Sequence, residues 1–162
     1  MADGEDRKSE GRVTARVSHE FSSPPERVFD AWLDPESVRA WMGHALRAMG
    51  LPGEVRTIAI DPRAGGAFEF SDLRAEGEAR HWGTYLALDR PRSLSFTWIT
   101  DASEEDDPSV VRVAIRPAGA GCVVVVEHEF SDRWKEYIDR AESGWRRMLA
   151  GIAAGLGERP SP

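Results

Sequence analysis

The alternation of apolar and polar positions defines the first element. From Arg12 to Phe21, Val13, Ala15, Val17, His19 and Phe21 point one way and Arg12, Thr14, Arg16, Ser18 and Glu20 the other, the period of two that marks a half-buried strand. Ser22-Ser23-Pro24-Pro25 stops it, offering a helix N-cap and a proline for the first helical turn. Val28, Phe29, Trp32 and Leu33 then recur at helical spacing. Asp34-Pro35 closes that helix and starts a second short one, which carries Val38, Trp41 and Met42 and ends before Gly43. Past Gly50, Pro52 and Gly53 the period returns to two in runs over Val55 to Ile60, Ala67 to Phe70, Trp82 to Leu88, Leu94 to Ile99, Val110 to Ile115 and Cys122 to Phe130. Asp61-Pro62-Arg63-Ala64-Gly65-Gly66, Glu76-Gly77-Glu78, Asp89-Arg90-Pro91, Asp107-Pro108 and Pro117-Ala118-Gly119-Ala120-Gly121 supply turns between them, and connections this short predict an antiparallel meander. Finally, Asp132 is placed to cap a long helix with a stripe of Ile138, Ala141, Trp145, Met148 or Leu149, Ile152 and Leu156.

The order is strand, two short helices, six strands and a long helix. It predicts an α+β domain in which a seven-stranded antiparallel curved sheet is covered on one face by the C-terminal helix. The domain is expected over residues 12–157, with a flexible tail over 1–11 and another over 158–162. Phe68 and Phe70 share one strand face, Phe96 and Trp98 another, and Trp145 lies on the helix stripe. These rings would line the space between sheet and helix, or fill it.

Composition sharpens this picture. The chain of 162 residues contains six Trp and six Phe but two Tyr, a choice of rings that favours an apolar interior. Its net charge of −7 argues against a nucleic-acid partner, which calls for clustered Lys and Arg. No run approaches the roughly 20 apolar residues of a membrane span, and the charged start Met1 to Gly11 has no hydrophobic region behind it, so a cytoplasmic location is expected. A single cysteine, Cys122, excludes an intrachain disulfide and a CxxC metal knuckle.

Candidate chemistry is sparse. His19, His44, His81 and His128 show no metal-ligand spacing, and neither a metal site nor a cofactor is expected. His128 shares a strand face with Val124, Val126 and Phe130; it is either a hydrogen-bonded core histidine or a neutral imidazole that orients a ligand hydroxyl or carbonyl. Cys122 has no evident activator, and Ser and Thr form no G-x-S-x-G elbow. Gly65-Gly66 leads into a strand and so reads as a turn, not a phosphate loop. Arg56, Arg63, Arg74 and Arg80 are candidate cations for an acidic ligand, each subject to strand parity, and the acidic run Asp101 to Asp107 reads as a solvated hairpin loop.

Several segments together resemble the START-like (SRPBCC) superfamily, and within it the branch of the C-terminal domain of the activator of heat-shock protein 90 ATPase. They are Ser23-Pro24-Pro25-Glu26-Arg27-Val28-Phe29-Asp30-Ala31-Trp32 with Asp34-Pro35-Glu36, then Trp41, Asp61-Pro62-Arg63-Ala64-Gly65-Gly66-Ala67-Phe68 and Gly83-Thr84-Tyr85. Pro91-Arg92-Ser93-Leu94-Ser95-Phe96-Thr97-Trp98, Glu127-His128-Glu129-Phe130 and Gly144-Trp145 complete the set. The resemblance, which takes in small bacterial proteins, implies a helix-grip fold around an elongated cavity. It implies as leading function the binding of an apolar or aromatic, lipid- or polyketide-like small molecule. Strand parity, the helix stripe and the resemblance select Trp41, Phe70, Tyr85, Trp98, His128, Trp145 and Met148 as cavity residues. Two alternatives accompany this reading: an aromatase- or cyclase-like enzyme using His128 as acid or base, and a protein-interaction domain with a chaperone partner. A homodimer through an exposed helix or strand face is compatible with all three.

Overall fold

A computed structural model describes residues 11–158. Seven strands, β1 (Arg12–Phe21), β2 (Glu54–Ile60), β3 (Ala67–Arg74), β4 (Gly77–Asp89), β5 (Ser93–Trp98), β6 (Ser109–Ala118) and β7 (Gly121–Ser131), form one antiparallel sheet. Its order is β1-β7-β6-β5-β4-β3-β2, so β2 to β7 make a meander and β1 closes against the last strand. Helices α1 (Pro25–Ala31) and α2 (Pro35–Ala48) carry the chain from β1 to the far edge, and α3 (Ile138–Gly155) packs against α2 and β1. The sheet is curved and unclosed and holds α3 on one face, the helix-grip arrangement that the residue pattern and the resemblance both implied.

Register explains the inner face. Val17 faces Val126, Val126 faces Val113, and Leu94 faces Val113 on the other side, so one continuous row of buried aliphatic residues crosses four strands. Phe68, Phe70, Tyr85 and Phe96 continue the buried face across β3 to β5. Leu149 and Ile152 meet it from α3, with Val38, Trp41 and Met42 from α2. Gly83 lets β4 close on β5, because a Cβ there would lie 2.1 Å from the Thr97 carbonyl oxygen. Gly151 does the same between helices: its Cβ would fall 2.7 Å from the Trp41 carbonyl oxygen.

Three boundaries differ from the sequence expectation. Helix α2 runs through Gly43 to Ala48, since Ala45 and Leu46 extend the buried stripe of Val38, Trp41 and Met42 at i+3 and i+4 spacing. Strand β3 continues to Arg74 and β4 starts at Gly77, so Ala75 and Glu76 make the turn; polar Asp72 hides from the period-two reading because its carboxylate is buried against the Arg74 guanidinium, with Oδ2 2.8 Å from Nε. The segment expected as the first turns of the last helix is a separate 3-10 stretch, Asp132–Tyr137, kinked at Trp134. Ser131 caps it by accepting from the Arg133 N–H, while the Asp132 carboxylate takes the N–H of Gly11 at 3.0 Å.

Of the tails expected over 1–11 and 158–162, all but Gly11 and Glu158 lie outside the described residues. At their edges Gly11 is bonded as above, and the Glu158 carboxylate accepts the N–H groups of Ser22 and Ser23 at 2.9 and 2.8 Å. No described helix is long and apolar enough to cross a membrane.

Candidate functional site

The rings gather between sheet and helices. Trp32, Trp41, Phe68, Phe70, Tyr85, Leu94, Phe96, Trp98 and Trp145 surround a common space. They fill it, leaving about 10 Å³, at the lower limit of what one water occupies. Trp98 is central: its ring lies 5.6 Å from Trp145, 6.1 Å from Phe68 and Phe96, and 5.2 Å from His81, stacked at 26°. Tyr85 packs on Phe68 at 5.2 Å, and burial together with Asp61 raises its hydroxyl pKa.

The buried tryptophans of this cluster differ in one respect. Trp41 donates its indole N–H to the Ala31 carbonyl at 3.0 Å, and Trp145 donates to His128 Nδ1 at 3.0 Å. Trp32 Nε1 is buried without an acceptor among the described residues.

The Trp145 bond fixes the state of His128. An indole only donates, so Nδ1 is the bare nitrogen and Nε2 carries the proton, which goes to Ser109 Oγ at 2.8 Å. Ser109 in turn donates to the Trp98 carbonyl at 2.7 Å. Burial pushes the His128 pKa down to about 4, so the ring is neutral at pH 7. Both ring nitrogens are therefore engaged within the protein. The arrangement suits a structural tie between α3, β7 and the backbone of β5, and leaves no free nitrogen to move a proton on a ligand.

An open groove of about 450 Å³ adjoins the filled cluster. Its walls are the end of β5 and the following loop (Trp98, Thr100, Glu104, Asp107), the start of β6 and end of β7 (Ser109, His128, Phe130, Ser131), the 3-10 turn (Trp134, Tyr137) and the first turn of α3 (Arg140, Ala141). Trp98 borders both spaces, one side toward the filled cluster and one toward the groove. Trp134 and Tyr137 are each 45% exposed, which is unusual for large rings in a chain that buries most of its others.

Of the residues selected from sequence, Trp41, Phe70, Tyr85, Trp98 and Trp145 border the filled space, and Trp98 with His128 borders the groove. Met148 is half-buried against the core and borders neither. The four candidate arginines are engaged elsewhere: Arg56 with Glu54, Arg63 with Asp61, Arg74 with Asp72 and Arg80 with Glu69. Cys122 is buried, its thiol directed at the Ser23 carbonyl and its pKa pushed up to about 11 by burial, which suppresses nucleophilic character. The acidic run turns out to contribute Glu104 and Asp107 to the groove. Phe130, Trp134, Tyr137 and Arg140 complete that wall without having been singled out in the sequence; the signal was available in Trp134 and Tyr137, two large rings three apart that fall outside the stripe of α3.

A family model described as Activator of Hsp90 ATPase homolog 1-like protein matches residues 22–157. The chain belongs to this family. Among curated proteins no relative matches it. Solved structures share the fold: a protein from Chromobacterium violaceum is 25% identical over 92% of this chain and 99% of its own, with a TM-score of 0.70. A protein of unknown function from Staphylococcus aureus is 19% identical over 93% and 96%, at TM-score 0.75. An AHSA1-like protein from Aeromonas hydrophila is 19% identical over 90% and 92%, at 0.70. These likenesses carry the architecture of the AHSA1-like domain, and its chemistry has to be read from the site itself.

Proposed function

We propose that this AHSA1-like domain binds an apolar, ring-bearing small molecule in the groove beside Trp98. The observation that supports it is the groove's volume of about 450 Å³, within the range of small-molecule sites, bordered by Trp98, Phe130, Trp134 and Tyr137. Exposed rings lose water when a ligand covers them, at roughly 25 cal/mol per Å² of apolar area. Trp98 then acts as a movable wall. With it turned outward, Trp41, Phe70, Tyr85 and Trp145 become ligand contacts and the helix-grip interior opens; with it in place, the ligand rests on its outer side. Trp98, Trp134 and Tyr137 carry the binding in this reading, and His128 holds the Trp145 indole and, through Ser109, the backbone of Trp98, whose side chain is left to turn.

The test is titration with the neutral dye Nile red, following its fluorescence, together with native mass spectrometry of freshly purified protein for a retained small molecule. Saturable binding at one site, weakened at least five-fold by Trp134→Ala or Tyr137→Ala, is expected. Saturable binding indifferent to both changes removes the groove as the seat. Absence of saturable binding, combined with stimulated turnover of an Hsp90 ATPase on addition of this domain, would replace the reading with the chaperone-directed one that the family description suggests.

A further inference from the structure

The groove's lining includes a single cation, Arg140. Its guanidinium lies over the exposed Tyr137 ring, 5.4 Å from the centroid, and pairs with no carboxylate among the described residues. By contrast, the acids that share the groove are satisfied internally. Glu104 accepts the Thr100 N–H at 2.9 Å and its hydroxyl at 3.2 Å, and Asp107 takes the Arg12 guanidinium at 3.2 Å. One uncommitted guanidinium therefore stands at the edge of an aromatic groove, over a ring and with its fork of donors unused. Such a fork matches a planar carboxylate, which it grips through two parallel N–H bonds.

The two acids also limit what can bind. Arg12 already answers Asp107, but Glu104 accepts only from the neutral Thr100 groups and keeps its charge, so a doubly charged phosphate in the groove would exceed what Arg140 balances, whereas a single negative charge at the Arg140 end is matched by it. We propose that the ligand class is an aromatic monocarboxylate, with its ring system against Trp98, Phe130 and Trp134 and its carboxylate on Arg140. This assignment rests on the groove being the ligand seat proposed above, and it adds the charge and the group that the seat selects.

The experiment compares 2-naphthoate with 2-naphthamide, which share shape and ring area and differ in charge, by isothermal titration calorimetry on the wild type, Arg140→Gln and Arg146→Gln. Arg140 is exposed, so its replacement leaves the core intact; Arg146, on the same helix, does not border the groove and controls for net charge. The wild type should bind 2-naphthoate about ten-fold tighter than 2-naphthamide. Arg140→Gln should abolish that preference by weakening 2-naphthoate far more than 2-naphthamide, Arg146→Gln should retain it, and raising salt should shrink it. Equal affinity of the wild type for both probes, or an unchanged preference in Arg140→Gln, overturns the carboxylate assignment while the groove remains a site for apolar rings. Failure of the wild type to bind either probe overturns both.

Discussion

Trp145 on α3 donates its indole N–H to Nδ1 of His128 on β7 across 3.0 Å, and that one bond sets the tautomer of a buried imidazole. Helix and sheet are thereby joined by a directional contact within an otherwise apolar interface. Removing the donor with Trp145→Phe leaves Nδ1 buried and bare, and the loss should reach about 2 kcal/mol in urea unfolding, counting the unmade bond and the smaller ring. A change within 0.5 kcal/mol of zero would mean that the bond is not made in solution.

The same burial gives the fold a pH dependence. His128 and His81 are both lowered to about 4, His128 by desolvation and His81 by desolvation against the raising effect of Asp72. Unfolded histidines titrate near 6.5, so as pH falls below that value the unfolded chain takes up protons that the folded one refuses, and stability drops. Thermal unfolding between pH 7.5 and 5 should show Tm constant above pH 7 and falling below 6.5. His128→Gln should flatten the fall by roughly half. A Tm that holds constant down to pH 5 would contradict the buried neutral state of both rings.

Trp32 and Trp41 offer a matched pair. Both are buried in the cluster, but the Trp41 indole N–H reaches the Ala31 carbonyl and the Trp32 indole N–H has no acceptor among the described residues. Replacement by Phe removes similar ring area in each and a hydrogen bond in one, so Trp41→Phe should cost about 1 kcal/mol more than Trp32→Phe. Equal costs in chemical denaturation would show that Trp32 finds an acceptor in solution.

Asp72 has 0% exposure and the half-buried Arg74 answers its charge. Arg74→Met strands that carboxylate and should destabilise the β3–β4 hairpin by about 3 kcal/mol, whereas the double change Asp72→Asn with Arg74→Met should recover most of the loss. Additive losses in the double-mutant cycle would deny the coupling.

Two glycines of α3, Gly144 and Gly151, predict opposite signs. Gly144 has open space where a Cβ would go, so Gly144→Ala should stabilise the helix by about 0.5–1 kcal/mol. Gly151→Ala puts a methyl group against the Trp41 backbone and should destabilise by at least 2 kcal/mol. Thermal shifts of the same sign for both would contradict the close approach of the helices.

The strands and the ring cluster were legible in the sequence because period two survives wherever one face is buried: Phe68, Phe70, Phe96 and Trp98 lie where alternation puts them. Asp72 broke the reading because its pairing with Arg74 is invisible to a hydropathy pattern. The groove was hidden for a different reason. Its walls come from an acidic loop, three strand ends, a 3-10 turn and the first turn of α3, none of which has a long enough period to announce a face; Trp134 and Tyr137 line it with Trp98 from a 3-10 stretch kinked at Trp134. His128 was placed on the correct face by parity, but its hydrogen-bond partners depend on Ser109 and Trp145, distant in the chain and joined by register and helix packing.

The contact at Gly151 has a mechanical consequence. With α3 resting on the backbone of α2, those two helices are already at their limit of approach, and their spacing offers little give in that direction. In the proposed binding mode the moving part is instead one half-buried indole, Trp98. Space for a guest would then be made by turning Trp98 about its side-chain bonds, a nanosecond-scale event if unhindered and slower in proportion to the packing it must leave. Entry into the domain would be governed by the rotation of a single residue, with the architecture around it standing still.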